Sequence, residues 1–415
     1  MRRFLPVLFP LMICLTARPE VAERPSRAEA EAVQARTNLP VLKIDAKDPI
    51  VSALKVPCTV TLVPGATGEA ETLGGAVRIR GATSQMYEKK SYAVTLETPA
   101  QWLGMRKSTQ WILNAAAVDR SLMRHKLSYD LFRSLSSPDS KRYATASRFV
   151  EVEVNGRYNG AYLLMERVDR ALLELRSFDP EAPSHACIYK AVDHAANFSS
   201  PGHGGYEQQE PDPEATAYWE PLDEFNQFVS RGKDPAFRDP ETGIAARLDL
   251  DDAIDFQLLV LLTSNTDGIT KNFILARDAV LPDAPAPRFF FAPWDYDSTF
   301  GRNWQASRTA PDRWLSNRLF DRLHNDAAFR QRFAARWKQL RERQFSLATI
   351  HSLIDENVRT LGDATQRNEA RWLTLDGPYP DRLSFEQDIA QMKEWVAARL
   401  QWLDAEITRR VDRGG

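Results

Sequence analysis

Cysteine is almost absent from this 415-residue chain, which has three, so a disulfide-stapled scaffold and a cysteine-built zinc site are both excluded. The histidines His125, His185, His194, His203, His324 and His351 are scattered, and none forms the H-E-x-x-H or a similar paired ligand spacing. Charge of one sign is lacking too. Lys and Arg number 54 against 56 Asp and Glu, a net charge of −2, whereas a nucleic-acid binder needs a basic excess. No apolar run is long enough to span a membrane, which takes about 20 residues. Internal repeats and low-complexity tracts are missing as well.

What remains is ordinary globular composition, 27% charged and 43% hydrophobic, enough to build a sizeable core. Arg2 and Arg3 precede an apolar run from Phe4 to Ala17. That order reads as a secretory signal peptide over residues 1–22, followed by a Glu-, Arg- and Ala-rich linker over 23–38. The expectation is a secreted, periplasmic or cell-surface protein with no transmembrane span in the mature chain. Cys14 lacks the small preceding residue of a lipidated cysteine. Cys58 and Cys187 are left as either one disulfide or two buried thiols.

From Leu39 to Val168 short β-type runs dominate, near residues 41–44, 58–63, 77–80, 92–96 and 149–165. In the last, Val150, Val152 and Val154 alternate with Glu151 and Glu153 ahead of Asn155-Gly156, the dipeptide of a type I′ hairpin. One helix is expected near 120–135. From residue 169 to 410 the pattern turns mostly helical. Asp249 or Asp251 caps an apolar helix running to Leu262, and Ser384 with Gln387 forms a capping box for a last helix striped by Ile389, Met392, Val396, Leu400, Leu403 and Ile407. The fold class is therefore α+β, with a β-rich first half, a helical second half and a cleft between them.

Three clusters carry chemistry. In the first, Arg78, Arg80, Ser84, Lys89 and Lys90 surround a strand, turn and strand that can gather cations, hydroxyls and backbone N–H groups around an anion, or can be a solvated hairpin edge. In the second, Asp267 precedes Asn272 by five residues, the spacing by which a protein-kinase loop sets a catalytic base and a metal ligand; the same spacing also occurs in plain turns. In the third, Asp295 and Asp297 end an apolar strand, where they suit a hard cation bound to phosphates, an Asx turn, a D-x-D glycosyltransferase site or a two-carboxylate hydrolase.

Together these segments resemble the CotH kinase family. The likeness lies in RIRGATSQMYEKKSYAVTL (78–96), in Trp111-Ile-Leu with Asp119 to Arg124, in Arg148 to Gly156, in Asn159 to Glu166, in Asn265 to Phe273 and in Pro293 to Gly301, all in order. The chain departs from the family pattern at Ala82-Thr83 and at Tyr87-Glu88. The resemblance implies one catalytic unit over 39–410, an atypical protein-kinase-like fold with two lobes (39–168 and 169–410). It implies transfer of the γ-phosphoryl group of ATP, with Mg²⁺ or Mn²⁺, to Ser or Thr of an extracytoplasmic protein. By position, Asp267 is then the catalytic base, and Asn272, Asp295 and Asp297 hold metal. Lys90, with Lys89 as fallback, contacts the nucleotide phosphates; Arg78, Arg80 and Ser84 line them; Glu166 orients a cation. The alternatives are a non-catalytic envelope protein on the same fold, or another nucleotide-dependent transfer such as nucleotidylation or glycosyl transfer.

Overall fold

The computed structural model describes residues 38–65, 68–372 and 383–412; the expected leader and nearly all of the linker lie outside the described residues. The first half is built of β1 (Val41–Ala46), β2 (Val56–Val63), β3 (Glu71–Arg80), β4 (Ser91–Ala100), β5 (Ser108–Asn114), β6 (Ser147–Val154) and β7 (Arg157–Glu166). These close into a barrel in the order β1-β2-β3-β4-β5-β7-β6. All the pairings are antiparallel except the seam, where β1 runs parallel to β6 from Val41↔Glu151 to Ile44↔Val154. Alternation along the strands fills the interior with Leu42, Ile44, Val60, Val94, Val150 and Val152. The turn between β6 and β7 is the expected one: Asn155 and Gly156 both have positive φ, 51° and 70°.

Glu151 and Glu153 are not solvated. Glu151 is fully buried and accepts from Arg367 (2.8 Å) and the Tyr158 hydroxyl (2.7 Å), while Glu153 pairs with Lys43 at 3.5 Å.

The helices are α1 (Arg124–Arg133), α2 (Glu220–Arg231), α3 (Asp234–Phe237), α4 (Leu250–Thr263), α5 (Arg318–His324), α6 (Ala327–Arg341), α7 (Leu347–Leu361), α8 (Ala364–Trp372) and α9 (Phe385–Asp412). Asp249 caps α4, accepting from the amides of Asp251 and Asp252. The capping box of α9 is present: Ser384 N donates to Gln387 Oε1 at 2.8 Å and Gln387 N to Ser384 Oγ at 3.2 Å. The helical half also contains a sheet of which only the apolar strand ahead of Asp295 was expected: β8 (Cys187–Ala191), β9 (Tyr206–Glu210), β10 (Phe273–Arg277) and β11 (Phe290–Pro293), in the order β11-β10-β8-β9. Cys58 and Cys187 are separate buried thiols, one in each sheet system.

Helix α8 returns from the second half to the barrel. It packs on β7, where Asn368 Oδ1 accepts from Ala161 N at 3.2 Å and Trp372 Nε1 donates to Asn159 O at 2.8 Å. Gly160 permits this approach: its φ is 104°, and a Cβ there would stand 2.6 Å from Asn368 Oδ1. Among the described residues no helix is long and apolar enough to cross a membrane.

Candidate active site

Helix α4 is apolar around most of its girth and buried in the centre of the second half. It stops at Ser264, a left-handed residue (φ 51°), and releases the loop that carries Asp267. Asn265, buried, ties that loop: its Oδ1 accepts from Gly268 N at 2.9 Å and its Nδ2 donates to Asp295 O at 3.4 Å. Any side chain at Gly268 would collide with Asn265, since a Cβ would lie 2.8 Å from its Cγ. Asn317 Nδ2 donates to Ile269 O at 2.6 Å and fixes the far side. Asp267 is left partly accessible, paired with Lys271 at 3.1 Å.

Asn272 and Asp295 then meet across the end of a β pair. Phe273 lies opposite Pro293, and one residue further Trp294 N donates to Asn272 O at 3.1 Å. Asn272 and Asp295 both have φ of 58°. Short polar residues tolerate that left-handed conformation, so both chains turn out of the sheet at the same level. Residues i and i+2 share a face on an extended strand; here the chain turns at Asp295, and Asp297 still lies near enough to feel its charge.

Helix α1 packs one face against this turn. His125 and Tyr129, four apart, stand on the same side; His125 Nε2 lies 3.4 Å from Asp295 Oδ1, and the Tyr129 hydroxyl accepts from Asp295 N at 3.0 Å. At the start of the same helix Arg124 Nε donates to Thr299 O at 2.9 Å. Nearly half of the Asp295 side chain (48%) remains accessible, so the carboxylate is open to a ligand. The protein atoms crowded around it would by themselves raise its pKa, but His125, Arg80 and Lys190 outweigh them and hold it below the ordinary carboxyl range. Asp297 goes the other way, pushed up to about 7 by burial and by the charge of Asp295. The repulsion between the two carboxylates is what a hard cation would relieve, and the Asn272 amide oxygen is of the same ligand class. Among the described residues no three His, Cys, Asp or Glu side chains form a ready metal cage. Two carboxylates and an amide fit the sparse protein ligation of Mg²⁺, whose remaining ligands are waters and phosphates.

The barrel faces this group with the end of β3 and the turn beyond it. Arg80 lies 5.6 Å and Lys190, from β8, 4.9 Å from the centre of the Trp294 ring. Both cations are pulled below their ordinary pKa, by burial first, while Asp295 opposes the shift. Tyr87 is raised by burial and by Asp297, so the turn reaches the carboxylates too. Arg78 is exposed beside Arg80, and Ser84 is half-buried in the single 3₁₀ turn Thr83–Met86.

The two lysines sit otherwise than expected. Lys89 is buried, donating to Ala161 O (2.5 Å) and Asn368 Oδ1 (2.8 Å), where it links β7 to α8. Lys90 Nζ donates to Gln85 O and Tyr87 O, both at 2.6 Å, and closes its own turn. Glu166 orients no cation among the described residues; its oxygens accept the backbone amides of Arg106 (2.7 Å) and Ala146 (3.2 Å). The cations around Asp295 are therefore Arg80, Lys190 and His125, of which the sequence reading picked only Arg80. His125 had a faint signal, as one of few histidines beside the Asp119 to Arg124 segment; Lys190, alone in a short apolar strand, had none.

The family model described as CotH kinase protein matches residues 77–403. The chain belongs to the CotH kinase family. Within it, the inner spore coat protein H of Bacillus subtilis (strain 168) is 28% identical over 342 residues, which cover 79% of this chain and 85% of that protein. The CotH match takes in the strand bearing Arg80, the Asp267 loop and the Asp295 turn, along with the helices that brace them.

Proposed function

We propose that this CotH family member is a metal-assisted protein kinase that transfers the γ-phosphoryl group of ATP to Ser or Thr of a protein outside the cytoplasm. The observation that carries this reading is the meeting of the Asp267 loop with the Asp295 turn through Asn265 and through the Asn272 to Trp294 hydrogen bond. Residues 28 apart in sequence (267 and 295) are thereby held as one rigid group opposite a cationic barrel edge. On this reading the barrel and the second half are the two lobes of an atypical kinase-like fold over 39–410.

Asp267 takes the proton of the acceptor hydroxyl, and Lys271 holds its carboxylate in place. Asn272, Asp295 and Asp297 would hold Mg²⁺ or Mn²⁺, which when bound supplies charge neutralisation for the phosphates. His125 orients Asp295. Arg80 from the barrel and Lys190 from β8 bind phosphate oxygens, a role moved to them from Lys89 and Lys90, with Arg78 and Ser84 on the rim.

The full chain incubated with radiolabelled ATP, either metal ion and a generic acceptor is expected to transfer label. Asp267→Asn and Asp295→Ala should each lower the rate by about 10²-fold or more, the scale of a lost proton acceptor. Label transferred equally by both variants would sink the assignment, and a product mass increased by a nucleotide instead of a phosphoryl group would replace it with nucleotidylation.

A further inference from the structure

A polar cavity of about 410 Å³ opens on the second half and shares no residue with the site above. It is walled by Trp314 ahead of α5, by His324 and Asn325 at the end of α5, by Arg330 on α6 and by Arg409 and Arg410 in the last turn of α9. Three guanidinium groups thus border one space. The lining includes one carboxylate, Asp321, which is itself engaged by the Ser316 hydroxyl at 2.6 Å.

The guanidinium groups are held before any ligand arrives. Glu406 accepts from Arg410 Nε and from Arg409 Nε, both at 2.7 Å. Arg410 also sits over the Trp314 ring, with its Cζ 3.9 Å from the ring centre. Arg330 Nη1 donates to His324 O at 2.6 Å. Groups fixed in this way lose little freedom on binding. The His324 ring, whose Nε2 lies 2.9 Å from Gln257 Oε1, experiences the resulting field: after burial, Arg410 and Arg330 are what push its pKa down, to about 3. The wall is therefore electropositive despite Glu406 and Asp321.

We propose that this cavity is a binding site for a phosphate-bearing anion. Arginine forks match phosphate oxygens two at a time, a phosphomonoester carries about −1.5 to −2 charges at neutral pH, and the volume exceeds that of a lone carboxylate. The anion is either free, as a short polyphosphate, or carried on a phosphorylated side chain.

Isothermal titration of the full chain with tripolyphosphate, and with a phosphoserine peptide beside its unphosphorylated twin, tests this. Binding of at least one phosphate probe is expected, weakened about tenfold or more by Arg330→Gln combined with Arg410→Gln, and weakened by salt. Binding by the phosphopeptide but not its twin identifies a phosphorylated protein as the source; binding by tripolyphosphate alone identifies a free anion. Should the double variant not fold, Asn325→Asp at an exposed wall position sets a like charge against the ligand and must weaken binding too. No binding by either phosphate probe, or binding indifferent to these changes, overturns the proposal.

Discussion

His324 shows how one half-buried imidazole shapes the behaviour of the protein with pH. Burial and two arginines keep it neutral in the fold, with its pKa pushed down from 6.5 to about 3. In the unfolded chain it takes a proton once the pH drops below 6.5. The stability tied to the neutral ring is therefore complete above that value and is lost as the pH falls toward 3. At ~1.4 kcal/mol for each tenfold change in proton affinity, this amounts to at most a few kcal/mol. His324→Gln is expected to flatten the loss of stability between pH 6 and 4 in urea titrations; an unchanged acid limb would remove the argument. Other residues differ in how legible they were. Asp267, Asn272 and Asp295 could be picked out because each sits in a contiguous motif whose spacing has a chemical meaning. His125 and Lys190 act on Asp295 only because α1 and β8 bring them there, and no local spacing encodes that contact. Lys89 misled for a related reason: a lysine in a basic turn is ordinarily a surface cation, and the carbonyl and amide that bury it come from β7 and α8.

Among the elements, α9 bears most directly on the site. Asp388, in its first turn and fully buried, accepts from Arg124 (2.9 Å) and Arg302 (2.9 Å). Arg124 begins the helix that holds His125 against Asp295. Eleven residues on, Arg399 donates to Leu261 O through Nε (2.7 Å) and Nη2 (2.5 Å), satisfying an end carbonyl of α4 just before the Asp267 loop. One helix thus braces both carboxylate-bearing segments. Asp388→Ala leaves two buried guanidinium groups without their shared partner, and roughly 3–5 kcal/mol of stability should be lost in chemical denaturation; a loss below about 1 kcal/mol would show that the network is not closed. The helix and its capping box were readable from periodicity. Asp388 and Arg399 were not, because a charged residue flanking an apolar stripe is ordinarily solvated, and here both are enclosed by other helices.

At the scale of the molecule, the barrel strands were legible singly and their closure was not. Alternation gives a strand its faces but says nothing about which strand lies at the seam. Of the second sheet only β11, an unbroken apolar run, was legible; the other three strands are five residues long, too short for a period to emerge beside longer helical patterns. Closure itself is testable. Removing Val41–Ala46 bares the edges of β2 and β6 at once, and unpaired edges recruit other chains. Size-exclusion chromatography of that deletion is expected to show self-association, whereas a monomer with unchanged circular dichroism would mean that β1 is dispensable. The strand order also sets a sequence of events. Of the barrel strands β1 is made first, and the ring cannot close until β7, made last, fills the gap between β5 and β6. Until then the nascent chain is an open sheet with both margins bare, so this half of the protein depends on whatever keeps unfinished chains apart during synthesis.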